Sequence, residues 1–116
     1  MKKPNPSIKW NVEEVASFLG TKAVPVDDGY SYHFKLQHDD HVLRFAVFPY
    51  SQQVIIELFR LNEDRPIVRY SLSTEWMRVE RKQVPELQIK ESASQVSACF
   101  TMRLKPLLLE YSSQSR

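Results

Sequence analysis

Glycine is nearly missing from this sequence: 116 residues contain two, Gly20 and Gly29. Phosphate-cradling loops, dinucleotide fingerprints and nucleophile elbows each need clustered glycines, so that the backbone can turn tightly or approach a ligand. None can be built here. A single cysteine, Cys99, excludes an internal disulfide framework and a multi-cysteine zinc site. The unbroken apolar runs reach about four residues, as over Phe45 to Phe48, far short of the roughly 20 a membrane span needs. Met1-Lys2-Lys3 leads into Pro4-Asn5-Pro6 and not into an apolar segment, so no signal peptide is expected. Nor does either sign of charge dominate: 16 Lys and Arg face 14 Asp and Glu, a net +2, without the strong basic bias of a dedicated nucleic-acid binder. These absences define a soluble, cytoplasmic expectation with no cofactor.

What is present is enough for a core. Hydrophobic residues make up 42% of the chain, including two Trp, five Tyr and six Phe. A domain of this size buries roughly two-thirds of its unfolded surface. One domain is expected over 8–111, with 1–7 and 112–116 as flexible tails.

A short helix opens it. Asn11 is a favourable N-cap, Glu14 stands where a reciprocal capping-box acid would, and Trp10 and Val15 have the spacing of a hydrophobic staple. Val12, Val15 and Leu19 share a stripe, and Gly20 is a natural terminator. Eight residues are too few to stand alone, so the helix must dock on an apolar surface.

From Tyr30 the hydrophobic period becomes two, the signature of half-buried strands. Turns at Asp39-Asp40 and Tyr50-Ser51 pair Leu36 with Leu43, Phe34 with Phe45, Tyr32 with Val47, Val47 with Val54, Phe45 with Ile56 and Leu43 with Leu58, all on one face. The same register sets Arg44 opposite Glu57 on the other face. An odd-length turn, with a bulge, keeps Val68, Tyr70 and Leu72 on the apolar face. A turn over 92–95 would pair Ile89 with Ala98 and Leu87 with Phe100. Segment 75–81 fits neither period cleanly, and 106–111 reads either as a helical turn starting at its proline or as an extension of the preceding strand. With so few glycines, the turns are expected to be longer or less regular than the two-residue glycine types. The fold class is therefore α+β, mostly β: a short N-terminal helix packed on a strongly bent antiparallel meander of five to seven strands, with closure to a half-barrel or sandwich as one way to cover its second face. A helix followed by a meander is a layout also found in small chaperones, immunity-type inhibitors and cystatin-like modules, with no motif that singles one out.

That second face mixes His33, Lys35, Arg44, Glu57 and Arg69 with Val42, Phe48, Ile55, Phe59, Leu61 and Ile67. A solvated face alternates to polar, so these apolar side chains need cover, either from strands 75–104 or from a partner. The expectation drawn is a non-enzymatic protein-interaction module, self-associating as a homodimer through this face or an edge strand. Its interface candidates are Phe48, Ile55, Phe59, Ile67, Arg44 and Arg69. Two alternatives stand beside it. One is a single-stranded nucleic-acid-binding sheet, in which cations flank exposed aromatics. The other is a ligand pocket or enzyme inside the curl, with His33 or tyrosines as its polar groups. No nucleophile, base and acid set is recognisable. His38-Asp39-Asp40-His41 holds the weak metal candidates, His38 and His41, but reads first as a turn made by its aspartates.

Overall fold

In a computed structural model of the chain, which describes residues 8–91, 96–104 and 107–115, the helix α1 spans Val12–Leu19. Asn11 starts it: its backbone is extended (φ −125°), and its side-chain oxygen accepts the Glu14 amide at 3.0 Å. Gly20 ends it at φ 70°, a left-handed conformation in which its amide reaches the Ala16 carbonyl. Val15 and Leu19 are buried, and Val12 is half-buried. Glu14 does not close the expected reciprocal cap. Its carboxylate instead accepts the Val79 amide at 2.7 Å, so the residue that would finish the helix fastens it to the sheet.

Eight strands follow among the described residues: β1 (Val24–Val26), β2 (Ser31–His38), β3 (His41–Phe48), β4 (Gln53–Arg60), β5 (Val68–Glu80), β6 (Glu86–Glu91), β7 (Val96–Leu104) and β8 (Leu107–Ser115). They form one antiparallel meander in which spatial order equals chain order. The expected five to seven strands is slightly low. The extra strand is β1, a Val-Pro-Val segment too short to show a period. The expected registers of β2–β3 and β3–β4 hold pair for pair, including Arg44 opposite Glu57. Leu58, Ile56 and Val54 on β4 meet Val68, Tyr70 and Leu72 on β5. The first hairpin does turn in two residues without glycine, because Asp39 takes the left-handed conformation (φ 55°); Gln52 and Asn62 do the same in the next two turns.

Of segment 75–81, residues 75–80 belong to β5, the longest described strand at 13 residues, and 107–115 is β8. The first part of β5 pairs with β4 and the second with β6, and the register shifts between Thr74 and Trp76. This bulge reverses the alternation: Leu72 and Thr74 point inward before it, Met77 and Val79 after it. Where β4 has left β5, the N-terminal segment takes its place. The Lys9 amide donates to the Glu75 carbonyl, Met77 donates to the Lys9 carbonyl at 3.0 Å, and Val79 then finds Glu14. The edge exposed by the bend is thus filled.

In the β6–β7 hairpin, Ile89 faces Phe100 and Leu87 faces Met102, two residues away from the expected register. A shift of two leaves every side chain on its original face, so alternation cannot detect it. The turn expected over 92–95 lies outside the described residues, as does the tail 1–7. Ser112–Ser115, assigned from sequence to a tail, pair with β7 as the end of β8.

The sheet curls around its apolar face. Val15 and Leu19 from α1 join Phe34, Leu43, Phe45, Val54, Ile56, Met77, Leu87, Ile89, Phe100 and Met102 in one core. Tyr70 on β5 meets Phe100 on β7 edge to face, with centroids 4.8 Å apart. Across the opening, His38 Nε2 donates to the Leu104 carbonyl at 2.6 Å. The curl stops there, short of a closed barrel: β1 pairs only with β2, and β8 only with β7. The later strands continue the same sheet and do not fold back over its second face, which corrects the sandwich form of closure. No described helix is long and apolar enough to cross a membrane.

Candidate protein-binding face

The outer face of β1–β5 is organised in rows that cross the strands. The middle row reads Lys35, Arg44, Glu57, Arg69, each residue directly opposite the next. On one side lies an apolar row, in which Val24 and His33 lead to Ala46 and Ile55, with Phe48 beyond them. On the other side Val42 faces Phe59, and exposed Ile67 follows at the head of β5. Neighbouring strands stand about 4.8 Å apart, and rows two residues apart along a strand are separated by about 6.7 Å. The middle and first rows line an open groove of about 550 Å³.

The groove is held by its own side chains. Arg69 Nε lies 3.6 Å from Glu57 Oε2. The Arg44 guanidinium sits 4.9 Å from the centre of the Phe59 ring, and beneath it Phe59 is buried to 6% exposure. His33 meets Phe48 edge to face at 5.9 Å and shares a 3.1 Å hydrogen bond with Ser31 Oγ. Lys35 is exposed on this face. Four of the six residues expected at an interface, Arg44, Phe48, Ile55 and Arg69, therefore line one groove. Phe59 lies under Arg44 beside it, and Ile67 stands at its margin. Sequence reasoning missed Val24, whose strand it did not see, and Ala46, too small to mark a face.

Elsewhere the candidate chemistry is dispersed. His38 and His41 do face each other across the hairpin. However, the Leu104 carbonyl accepts a hydrogen bond from His38 Nε2, and the His38 and His41 Nδ1 atoms lie 3.6 and 3.1 Å from Asp39 and Asp40. Each imidazole is thus turned to its own neighbour and not to a shared point. No group of three His, Cys, Asp or Glu converges among the described residues. Cys99 is half-buried on the outer face of β7, and no second sheet lies above it among the described residues. On β5 the Arg78 guanidinium lies 4.5 Å from the Trp76 ring centre and its Nε 3.0 Å from Glu80. Lys82 and Arg103 close on the buried Glu86.

Fold and face together define an open α+β meander: one helix fills the concave side, and the convex side carries apolar rows over which no second layer lies among the described residues. No protein-family model and no curated protein sequence matches the chain. The same fold occurs in a solved contact-dependent growth inhibition toxin–immunity protein complex from Klebsiella pneumoniae 342. A chain of that complex superposes with a TM-score of 0.79 at 14% identity, covering 95% of this chain and 100% of the other.

Proposed function

We propose that this chain is a non-enzymatic protein-binding module that holds one protein partner over the outer face of β1–β5, in the manner of a small immunity-type inhibitor. The observation that carries this reading is the groove, where Val24, Ala46, Phe48 and Ile55 border a row of ions and no second layer lies above them among the described residues. The fold shared, over almost the full length of both chains, with a member of a toxin–immunity protein complex supports a protein as the partner. The non-enzymatic part rests on the chemistry of the face: an ion row, and one histidine occupied with Ser31.

Self-association through this face is disfavoured, because two copies meeting there would oppose three cations to three cations, with one carboxylate each. Sedimentation velocity at tens of micromolar should show a monomer. A dimer dissolved by Phe48→Asp would overturn the one-partner reading. The direct test is a library of displayed β-hairpin peptides selected on the intact chain and counter-screened on Ile55→Asp. Selected binders should lose the Ile55→Asp variant. Binders indifferent to that substitution would place recognition elsewhere and overturn the proposal.

A further inference from the structure

Lys35 and Arg44 stand directly opposite each other on β2 and β3. Like charges at that spacing destabilise a sheet, and such pairs persist at a cost. Arg44 also faces Glu57 on its other side, but the Glu57 carboxylate lies against Arg69, and the Arg44 guanidinium is drawn over Phe59. The Lys35 ammonium has no hydrogen bond or ion pair among the described residues. The row is therefore polarised: its carboxylate is engaged at the β5 end, and two adjacent cations are left without an anion at the β2 end.

The rows on either side set a second constraint. An extended segment lying along β3 places alternate side chains about 6.7 Å apart, the distance between these rows. A side chain over Arg44, beside Lys35, then has neighbours, two residues to each side, over Ala46 and over Val42. Resting on the protein-binding reading above, we infer that Lys35 and Arg44 anchor an Asp or Glu side chain of the partner, carried on an extended segment of the pattern apolar–x–acidic–x–apolar. Single-stranded nucleic acid offers the same negative charge but fits less well. Phe59 is buried beneath Arg44 and gives no ring face for a base, and Glu57 interrupts the path a phosphate chain would follow.

The test uses the full chain and three probes: a disulfide-closed hairpin peptide with Leu-Thr-Glu-Thr-Phe on one strand, the same peptide with Lys in place of Glu, and a short oligo(dT). Amide chemical shifts report where each binds. The Glu hairpin should perturb the amides of Lys35, Arg44, Ala46 and Glu57 and bind about tenfold or more tightly than its Lys counterpart. Lys35→Glu should reverse that preference while leaving the melting temperature equal or higher, since it places opposite charges across β2 and β3; a loss of binding from misfolding would lower it. Equal affinity for the two hairpins, indifference to Lys35→Glu, or oligo(dT) occupying the face more tightly than the Glu hairpin would each overturn the anchor. A hairpin weakened by Ile55→Asp but not by Lys35→Glu overturns the anchor alone and leaves the protein-binding face standing. If neither hairpin binds and displayed binders ignore Ile55→Asp, both fall.

Discussion

Glu86 is the most constrained ionisable residue described. It is 3% exposed, and its carboxylate accepts from Lys82 Nζ at 2.9 Å, Gln88 Nε2 at 2.8 Å and Arg103 at 3.0 Å. The Lys82 hydrogen bond first, then those from Gln88 and Arg103, hold its pKa down at about 2, against the opposing effect of burial. A folded-state pKa below the unfolded value means stability that is complete above the unfolded pKa, near 4.5, and lost as pH falls toward about 2. Glu86→Gln should therefore cost roughly 1–3 kcal/mol at neutral pH and flatten stability between about pH 5 and 2. Urea denaturation at a series of pH values would show both, and an unchanged acid limb would refute the assignment. Nothing in strand alternation marked this residue. Its partners lie in the β5–β6 turn, on β6 itself and on β7, and the β6–β7 register needed to bring Arg103 near was two residues off. Arg44 and Glu57, by contrast, were legible as a pair, because two independent turns fixed the registers around them. Gly20 is a simpler case: a Cβ there meets nothing within 4 Å, yet φ is +70°. Gly20→Ala should cost about 1–2 kcal/mol from backbone strain alone, measurable as a lower thermal midpoint.

At the scale of elements, legibility followed turn chemistry and strand length. Strands β2 to β4 each carry enough alternating residues to fix a face, and Asp39, Gln52 and Asn62 supply the left-handed turn conformations that glycine would. β1 has three residues, one of them proline, and shows no pattern. β5 is long enough, but its bulge exchanges inside for outside midway, so Trp76, Met77 and Val79 obey a period interrupted between Thr74 and Trp76. The candidate face divides in the same way: its rows followed from the β2–β4 registers, but its β1 margin did not. Helix docking gives a prediction at this scale. Glu14→Ala removes the acceptor of a part-buried Val79 amide, which should cost about 1–3 kcal/mol in chemical denaturation. A loss no greater than a few tenths would show that the amide finds water without penalty.

For the whole molecule, the central fact is that neighbours in the sheet are neighbours in the chain from β1 to β8. Among the side-chain hydrogen bonds of the described residues two stand apart, Glu14 to Val79 and His38 to Leu104, which join residues 65 and 66 positions apart. Both are closures made on a sheet that already exists. Glu14→Ala and His38→Ala should accordingly speed unfolding and leave the refolding rate nearly unchanged, a split that stopped-flow chevrons resolve. A slowed refolding limb would instead place these contacts in the folding nucleus. During synthesis, each strand that leaves the ribosome finds the strand it will pair with already waiting, so the sheet can grow hairpin by hairpin without holding an unmatched edge for a distant partner. The helix cannot do this. Its stripe of Val15 and Leu19 emerges before the sheet it docks on, and the β5 amide that fastens it lies 65 residues downstream of Glu14, so the helix is secured only after β2 to β5 have been made.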